Sequence, residues 1–120
     1  MTIEPSLDGA IYVDLKGDKV SYSSKDTVRI KCLIVNDSKR ALQYLKLLFN
    51  IEDSLGNILY TDEIKIPHLE AKGCFYEVFE WPAPECLMCG FVARAKVYEN
   101  EHYLAGSTLV FDVVRDYSLT

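Results

Sequence analysis

The sequence predicts an all-β protein, an antiparallel β-sandwich of about seven to eight strands. Aromatic and β-branched residues fall into short runs, and the aromatic residues comprise 8 Tyr, 5 Phe and 1 Trp. Gly, Asn, Asp, Ser and Pro separate these runs, which is the pattern of strands joined by turns. With 120 residues, 49% of them hydrophobic, the chain has enough apolar surface for one core. We therefore expect one domain over residues 1–120, with an ordered core at about residues 10–115.

Eight segments carry the strand signal, and no convincing helix lies between them. The predicted strands cover residues 10–15, 19–22, 27–36, 42–52, 58–66, 74–81, 90–99 and 103–114. Two of them alternate strictly, as a strand with one buried face should. The side chains expected to face inward are Val28, Ile30, Cys32 and Ile34 in one segment, and Phe91, Ala93, Ala95 and Val97 in the other.

Residues 38–49 also have helical features. Ser38 is a possible N-cap, and apolar residues between Ala41 and Phe49 have helical spacing. The apolar side chains at 45, 47, 49 and 51 alternate, however, and the turn that begins at Asp53 requires a strand before it. We therefore favour a strand here.

Turn residues lie where the predicted strands need to reverse. Residues 53–57 include Gly56, and residues 99–102 include Asn100, both of which tolerate positive φ. These turns are expected to join the fourth strand to the fifth and the penultimate strand to the last. Pro67, Pro82 and Pro84 cannot donate to a strand ladder, so we expect them at strand ends or in loops.

Several segments resemble a known family. Residues 18–30, DKVSYSSKDTVRI, and the following strand that ends in Asn36 resemble the opening of prokaryotic immunoglobulin-like modules, of the cell-adhesion-related and macroglobulin-like kinds. Residues 79–81 before a proline and residues 111–113 agree, although Lys25 stands where the family usually has Gly. One half of an arrestin-like sandwich is a less similar relative. The resemblance covers residues 11–114 and implies an immunoglobulin-like sandwich, a non-catalytic module that spaces, docks or adheres.

Cys86 and Cys89 form the sharpest local motif, because a two-residue spacer lets two thiolates hold one metal ion or form a redox pair. A structural zinc needs two further ligands, and the remaining candidates, Cys74, His68 and His102, form no second paired motif. A small metal-binding or redox protein centred on Cys86 and Cys89 is therefore the alternative function. We expect unligated cysteines and no cofactor.

Cys32 and Cys89 suggest the inter-sheet disulfide of immunoglobulin domains, but their positions along the strands argue against it. Cys32 lies late in its strand and Cys89 at the start of its own. The resulting offset is on the order of 15 Å, whereas bridged Cα atoms lie within about 7 Å of each other. We expect Cys32 to be a small buried apolar residue.

Composition excludes other classes of function. The net charge is −5, and no basic stripe is present that could neutralise phosphates, so nucleic-acid binding is disfavoured. No run approaches the ~20 apolar residues of a transmembrane segment. The sequence contains no recognisable nucleophile motif, phosphate-binding loop or pair of metal-binding carboxylates, so it does not predict an enzyme. His68 and His102 are expected to be solvated loop residues, and Phe79 and Trp81 to belong to the core. Carbohydrate binding has no support beyond the number of tyrosines.

The N-terminal ten residues carry Glu4 and Asp8 and do not form a secretory signal. We expect a cytoplasmic protein if Met1 is native, and an extracellular or cell-surface one if the chain is a piece of a longer protein.

Apolar side chains at outward positions predict a protein-binding surface. Leu33 and Val35 belong to this outward set. On the predicted third and sixth strands of the sandwich core, four residues are expected to share one face with a basic rim: Tyr44, Leu48, Val92 and Tyr98. Such a patch marks a protein partner or self-association, through a sheet face or an edge strand.

Overall fold

A computed structural model describes residues 10–115 as eight strands without a helix. The strands are β1 (Ile11–Gly17), β2 (Ser21–Ser23), β3 (Thr27–Asn36), β4 (Leu42–Asp53), β5 (Ile58–Leu69), β6 (Cys74–Pro82), β7 (Met88–Glu99) and β8 (His102–Val114). They form a three-stranded sheet, β1-β3-β6, and a five-stranded sheet, β2-β8-β7-β4-β5. The predicted sandwich is thus confirmed. The segment 38–49 contributes to a strand and not to a helix.

The two predicted turns join antiparallel neighbours. Asp53 closes the β4–β5 turn, because its carboxylate accepts hydrogen bonds from the backbone N–H groups of Leu55 and Asn57, both at 2.9 Å. In the β7–β8 turn Asn100 and Glu101 have φ values of 48° and 70°. Positive φ at both central residues is the conformation that two-residue hairpin turns of type I′ require.

The core fills the space between the sheets, with the parity that the alternation predicts. Ile30 on β3 and Val97 on β7 are 1% and 0% exposed. Phe49 of the five-stranded sheet stacks on Phe79 of the three-stranded sheet, with ring centroids 4.0 Å apart. Trp81 contacts the rings of Phe91 and Phe111 edge-on, at 5.3 and 6.4 Å. Phe79 and Trp81 are therefore core residues, as expected.

Asn36 joins the two sheets at one end of the sandwich. It is fully buried at the end of β3. Its Nδ2 donates to the carbonyls of Arg40 at 2.9 Å and Glu70 at 3.0 Å, and lies 3.3 Å from the carbonyl of Leu69 at the end of β5. Its Oδ1 accepts from the hydroxyl of Ser38 at 2.6 Å. One buried amide thus satisfies the backbone of two connecting loops.

Pro67 corrects one expectation, because it lies inside β5 and not at a strand end or in a loop. β5 is an edge strand, so the missing N–H costs no ladder hydrogen bond. The β4–β5 register passes over Pro67 and its counterpart Tyr44, which has φ 56°. Leu42 and Leu45 are consequently both buried, and the alternation of β4 breaks between them.

Candidate interaction surfaces

Exposed apolar side chains cover much of the outer face of the three-stranded sheet. Two cross-strand rows lie next to each other, Tyr12–Val35–Cys74 and Asp14–Leu33–Tyr76, and Val78 follows Tyr76 on the same side of β6. Tyr12 and Tyr76 are 52% and 60% exposed. We refer to this surface as the apolar face: Tyr12, Leu33, Val35, Tyr76 and Val78. Among the six residues of these two rows, Asp14 is the only one with a charged side chain.

The sequence prediction had named Leu33 and Val35 as outward apolar residues but had missed Tyr12, Tyr76 and Val78. The alternation around Phe79 and Trp81, both inward, would have placed Tyr76 and Val78 outward. That the three strands are neighbours could not be read from local pattern. The structure brings these residues into one continuous surface, which single exposed apolar residues do not form.

A pair of lysines borders the apolar face. Lys16 on β1 is directly opposite Lys31 on β3, and both are exposed. Together with Arg29 and one acidic residue, Asp18, they line a shallow depression of about 250 Å³. No carboxylate of residues 10–115 lies within ion-pair distance of Lys16 or Lys31. The Lys31 ammonium instead lies 4.8 Å from the centroid of the Tyr76 ring. Like charges directly opposite each other destabilise a sheet, so this end of the face favours an anionic partner.

The patch predicted from sequence lies on the outer face of the five-stranded sheet, where β4 and β7 are indeed neighbours. Leu48 is directly opposite Lys96, and Val92 is directly opposite Glu52. Charged side chains therefore separate the predicted residues. Tyr44, the most exposed member at 71%, lies at the end of the sheet, where it lines a depression with Pro67.

Tyr98 has a well-defined aromatic environment on that same face. Its ring lies 5.1 Å from the Lys46 ammonium and packs edge-on against Tyr103 at 5.8 Å. Tyr103 in turn covers Gly106, where an added Cβ would lie 2.7 Å from the Tyr103 hydroxyl. Lys46 also pairs with Glu63 at 3.7 Å, which neutralises the opposition of Lys46 and Lys65. The aromatic rings and charged groups on this part of the sheet therefore already have partners within the sheet.

The Cys86 and Cys89 thiols lie together next to β8, but their environment is not that of a reactive pair. Cys86 Sγ donates to the carbonyl of Val113 at 3.5 Å. Burial, then the hydrogen bond with Cys89, raises the pKa of Cys86 to about 11. Reactive thiols have a lowered pKa. All four cysteines are free, and Cys32 is completely buried, with a pKa that burial raises to about 12.

The other candidate ligands are dispersed. His68 lies on β5 beside Gln43, with 2.7 Å between His68 Nδ1 and Gln43 Nε2, and His102 begins β8, so neither is the loop residue that we expected. Within residues 10–115, no three Cys, His, Asp or Glu side chains come together as a metal site requires. The same part of the chain contains no helix long and apolar enough to cross a membrane.

Comparison with known proteins yields similarity of structure but none of sequence. No family model matches the chain, and no curated protein matches it. A CARDB domain from Pyrococcus furiosus, crystallised in complex with di-metal ions, has a TM-score of 0.64 and 17% identity over 87% of each chain. The solution structure of that domain has a TM-score of 0.70 and 16% identity, over 89% of this chain and 96% of its own.

Larger enzymes contain the same fold as a part. A Paenibacillus cycloisomaltooligosaccharide glucanotransferase matches 87% of this chain with a TM-score of 0.64 and 19% identity. A Bacteroides uniformis β-glucuronidase matches 82% of it with a TM-score of 0.62 and 19% identity. The matches span only 14% and 12% of the two enzymes. At these identities the shared property is the fold, so the chain has the fold of an immunoglobulin-like β-sandwich.

Proposed function

We propose that this protein is a non-catalytic interaction module that docks a protein partner on the apolar face. The observation that carries the proposal is the continuity of Tyr12, Leu33, Val35 and Tyr76 across all three strands of one sheet. Tyrosine and aliphatic side chains are typical anchors of protein interfaces. The opposed Lys16 and Lys31 favour a partner with carboxylates at that end of the surface.

A second copy of the chain is a weaker candidate for this partner. Three rows across three strands cover roughly 300 Å², from about 4.8 Å between strands and about 6.7 Å between rows. Stable interfaces bury about 800 Å² on each partner. The apolar face alone is thus too small for a stable face-to-face dimer, and a partner of different shape that reaches past the sheet fits better.

Self-association through the predicted patch, Tyr44, Leu48, Val92 and Tyr98, is the competing proposal. Its support is the exposure of Tyr44 and the apolar depression beside it. The charged neighbours of Leu48 and Val92 count against it as a stable interface core. Sedimentation at several concentrations tests it, with Tyr98→Asp as the variant that should disrupt a dimer.

Site-specific photo-cross-linking in cells that naturally contain the protein distinguishes the two surfaces. A photoreactive residue replaces Tyr12, Tyr98 or, as a control in the β4–β5 turn, the 85% exposed Leu55. We expect a discrete protein adduct from position 12 that is absent from position 55. An adduct from position 98 alone would transfer the interface to the five-stranded sheet, and no adduct from either would contradict an interaction function.

A further inference from the structure

The three-stranded sheet ends on the free edge of β6. Within residues 10–115, β6 pairs only with β3, through nine consecutive residue pairs without a register shift. Constant-type immunoglobulin sandwiches have a fourth strand at this position of the sheet. The free edge therefore presents a row of unpaired backbone N–H and C=O groups to an additional strand.

The other edges of the sandwich are closed or protected. β1 lies against β8, and β2 is only three residues long. β5 contains Pro67, and its register with β4 shifts between Ile51 and Glu52. Proline, bulges, short strands and inward-pointing charges are the usual devices that limit strand addition. β6 has its only proline, Pro82, at its last position.

Glu77 is an unusual residue on the inner side of β6. It continues a core row, since Leu15 is opposite Cys32 and Cys32 is opposite Glu77. It is half-buried and has no hydrogen bond or ion pair with any described residue. By contrast, Asp62 on the inner side of β5 accepts a hydrogen bond from the N–H of Glu63 at 2.9 Å. A basic residue on an added strand would pair with this carboxylate, whereas an acidic residue there would be repelled, so Glu77 makes the edge selective for the strand that it accepts.

We propose that β6 accepts an extended segment of a protein partner as a fourth strand, with Lys or Arg opposite Glu77. Backbone pairing would supply the affinity, and the basic residue would fix the register. On the inner side, the residues that flank the basic one would be apolar, because Phe75 and Phe79 flank Glu77 there. This site adjoins the apolar face, since Tyr76 and Val78 also lie on β6, but it uses the backbone edge and the inner side of that strand.

Synthetic peptides of the length of β6 provide the probes. One peptide alternates Thr and Val with a central Lys in place of one Val, so that Val flanks the Lys on the inner side; a second carries Glu at that position, and a third carries Pro. Nuclear magnetic resonance measures affinity and the protection of β6 amides from hydrogen exchange. We expect the Lys peptide to bind roughly three- to tenfold more tightly than the Glu peptide, and the Pro peptide not to protect β6.

Charge reversal then tests the role of Glu77. Glu77→Lys should invert the preference between the two peptides, and the milder Glu77→Gln should abolish it if the Lys variant folds poorly. Glu63→Lys on β5 changes the net charge equally and should preserve the preference. The proposal is overturned if no peptide protects β6 amides, if the wild type binds both peptides equally, or if Glu63→Lys acts as Glu77→Lys does. If Glu63→Lys has the same effect as Glu77→Lys, the net charge of the protein attracts the peptide, and Glu77 does not pair with the lysine of the peptide.

Discussion

The two sheets differ most at their open edges, β5 and β6. The edge strand β5 of the five-stranded sheet contains Pro67, a shifted register and an inward carboxylate, Asp62, that is hydrogen-bonded. The edge strand β6 of the three-stranded sheet has a continuous ladder and an inward carboxylate, Glu77, that has no described partner. The smaller sheet thus keeps an uninterrupted edge, on which the inward Glu77 selects for a basic residue, whereas Pro67 and the shifted register interrupt the edge of the larger sheet.

The outer faces of the two sheets differ in the same direction. On the five-stranded sheet, charges pair with each other, as Arg94 does with Glu52 at 2.8 Å and Lys46 with Glu63. On the three-stranded sheet, Arg29 pairs with Glu80 at 3.4 Å, but tyrosine and aliphatic side chains lie side by side, and Lys16 opposes Lys31. The core requires only that both inner faces be apolar, so the outer faces and edges are free to carry function.

Truncations in the core should show that the two sheets contribute equally to stability. Ile30→Ala in the three-stranded sheet and Val97→Ala in the five-stranded sheet should each lower the free energy of unfolding by about 2 to 4 kcal/mol, because both side chains are buried. The exposed neighbours provide the controls, and Arg29→Ala and Lys96→Ala should each cost less than ~1 kcal/mol. Denaturant titration measures all four. Equal effects at inward and outward positions would contradict the assigned faces.

Removal of the buried amide that joins the sheets should have the next largest effect. Asn36→Ala removes the hydrogen bonds that Nδ2 donates to the Arg40 and Glu70 carbonyls and those that Oδ1 accepts from Ser38, at a cost of roughly 2 to 3 kcal/mol. Ser38→Ala removes one of these hydrogen bonds and the contacts of the Ser38 hydroxyl with the Arg40 backbone, and it should cost about 1 kcal/mol. Thermal unfolding followed by circular dichroism gives both values. Similar losses in the two variants would mean that Asn36 acts only through Ser38.

The sequence predicted inward and outward positions well, because alternation is a local property of a strand. Ile30 and Val97 were placed correctly for that reason. The prediction from sequence failed where the backbone departs from regular geometry, because no local sequence signal indicates the positive φ of Tyr44 opposite Pro67. It also could not assemble the apolar face, because Tyr12, Leu33 and Tyr76 become neighbours only through the order of the strands. The candidate surface is thus a property of topology rather than of motif.

The β7–β8 turn contains a residue whose replacement should stabilise the protein. Glu101 adopts φ 70°, which costs a non-glycine residue about 1 kcal/mol. Glu101→Gly should therefore raise the free energy of unfolding by roughly 0.5 kcal/mol, after the added flexibility of the unfolded chain is subtracted. Glu101→Ala is the matched control, since it removes the same side chain without relieving the backbone, and it should not stabilise. If Ala stabilised as much as Gly, the charge and not the backbone would be the cause.

The opposed lysines provide the smallest and most specific comparison between the sheets. Lys16 opposes Lys31 without a described carboxylate, whereas Lys65 opposes a Lys46 that pairs with Glu63. Lys16→Thr should therefore stabilise the protein more than Lys65→Thr, by about 0.3 kcal/mol, because only the first relieves uncompensated repulsion. Both changes give the same gain in strand propensity, which cancels in the difference. Parallel denaturant titrations at low and high salt measure it, and the difference should shrink as salt screens the exposed charges. A difference that persists at high salt would show that packing, and not charge, distinguishes the two sites.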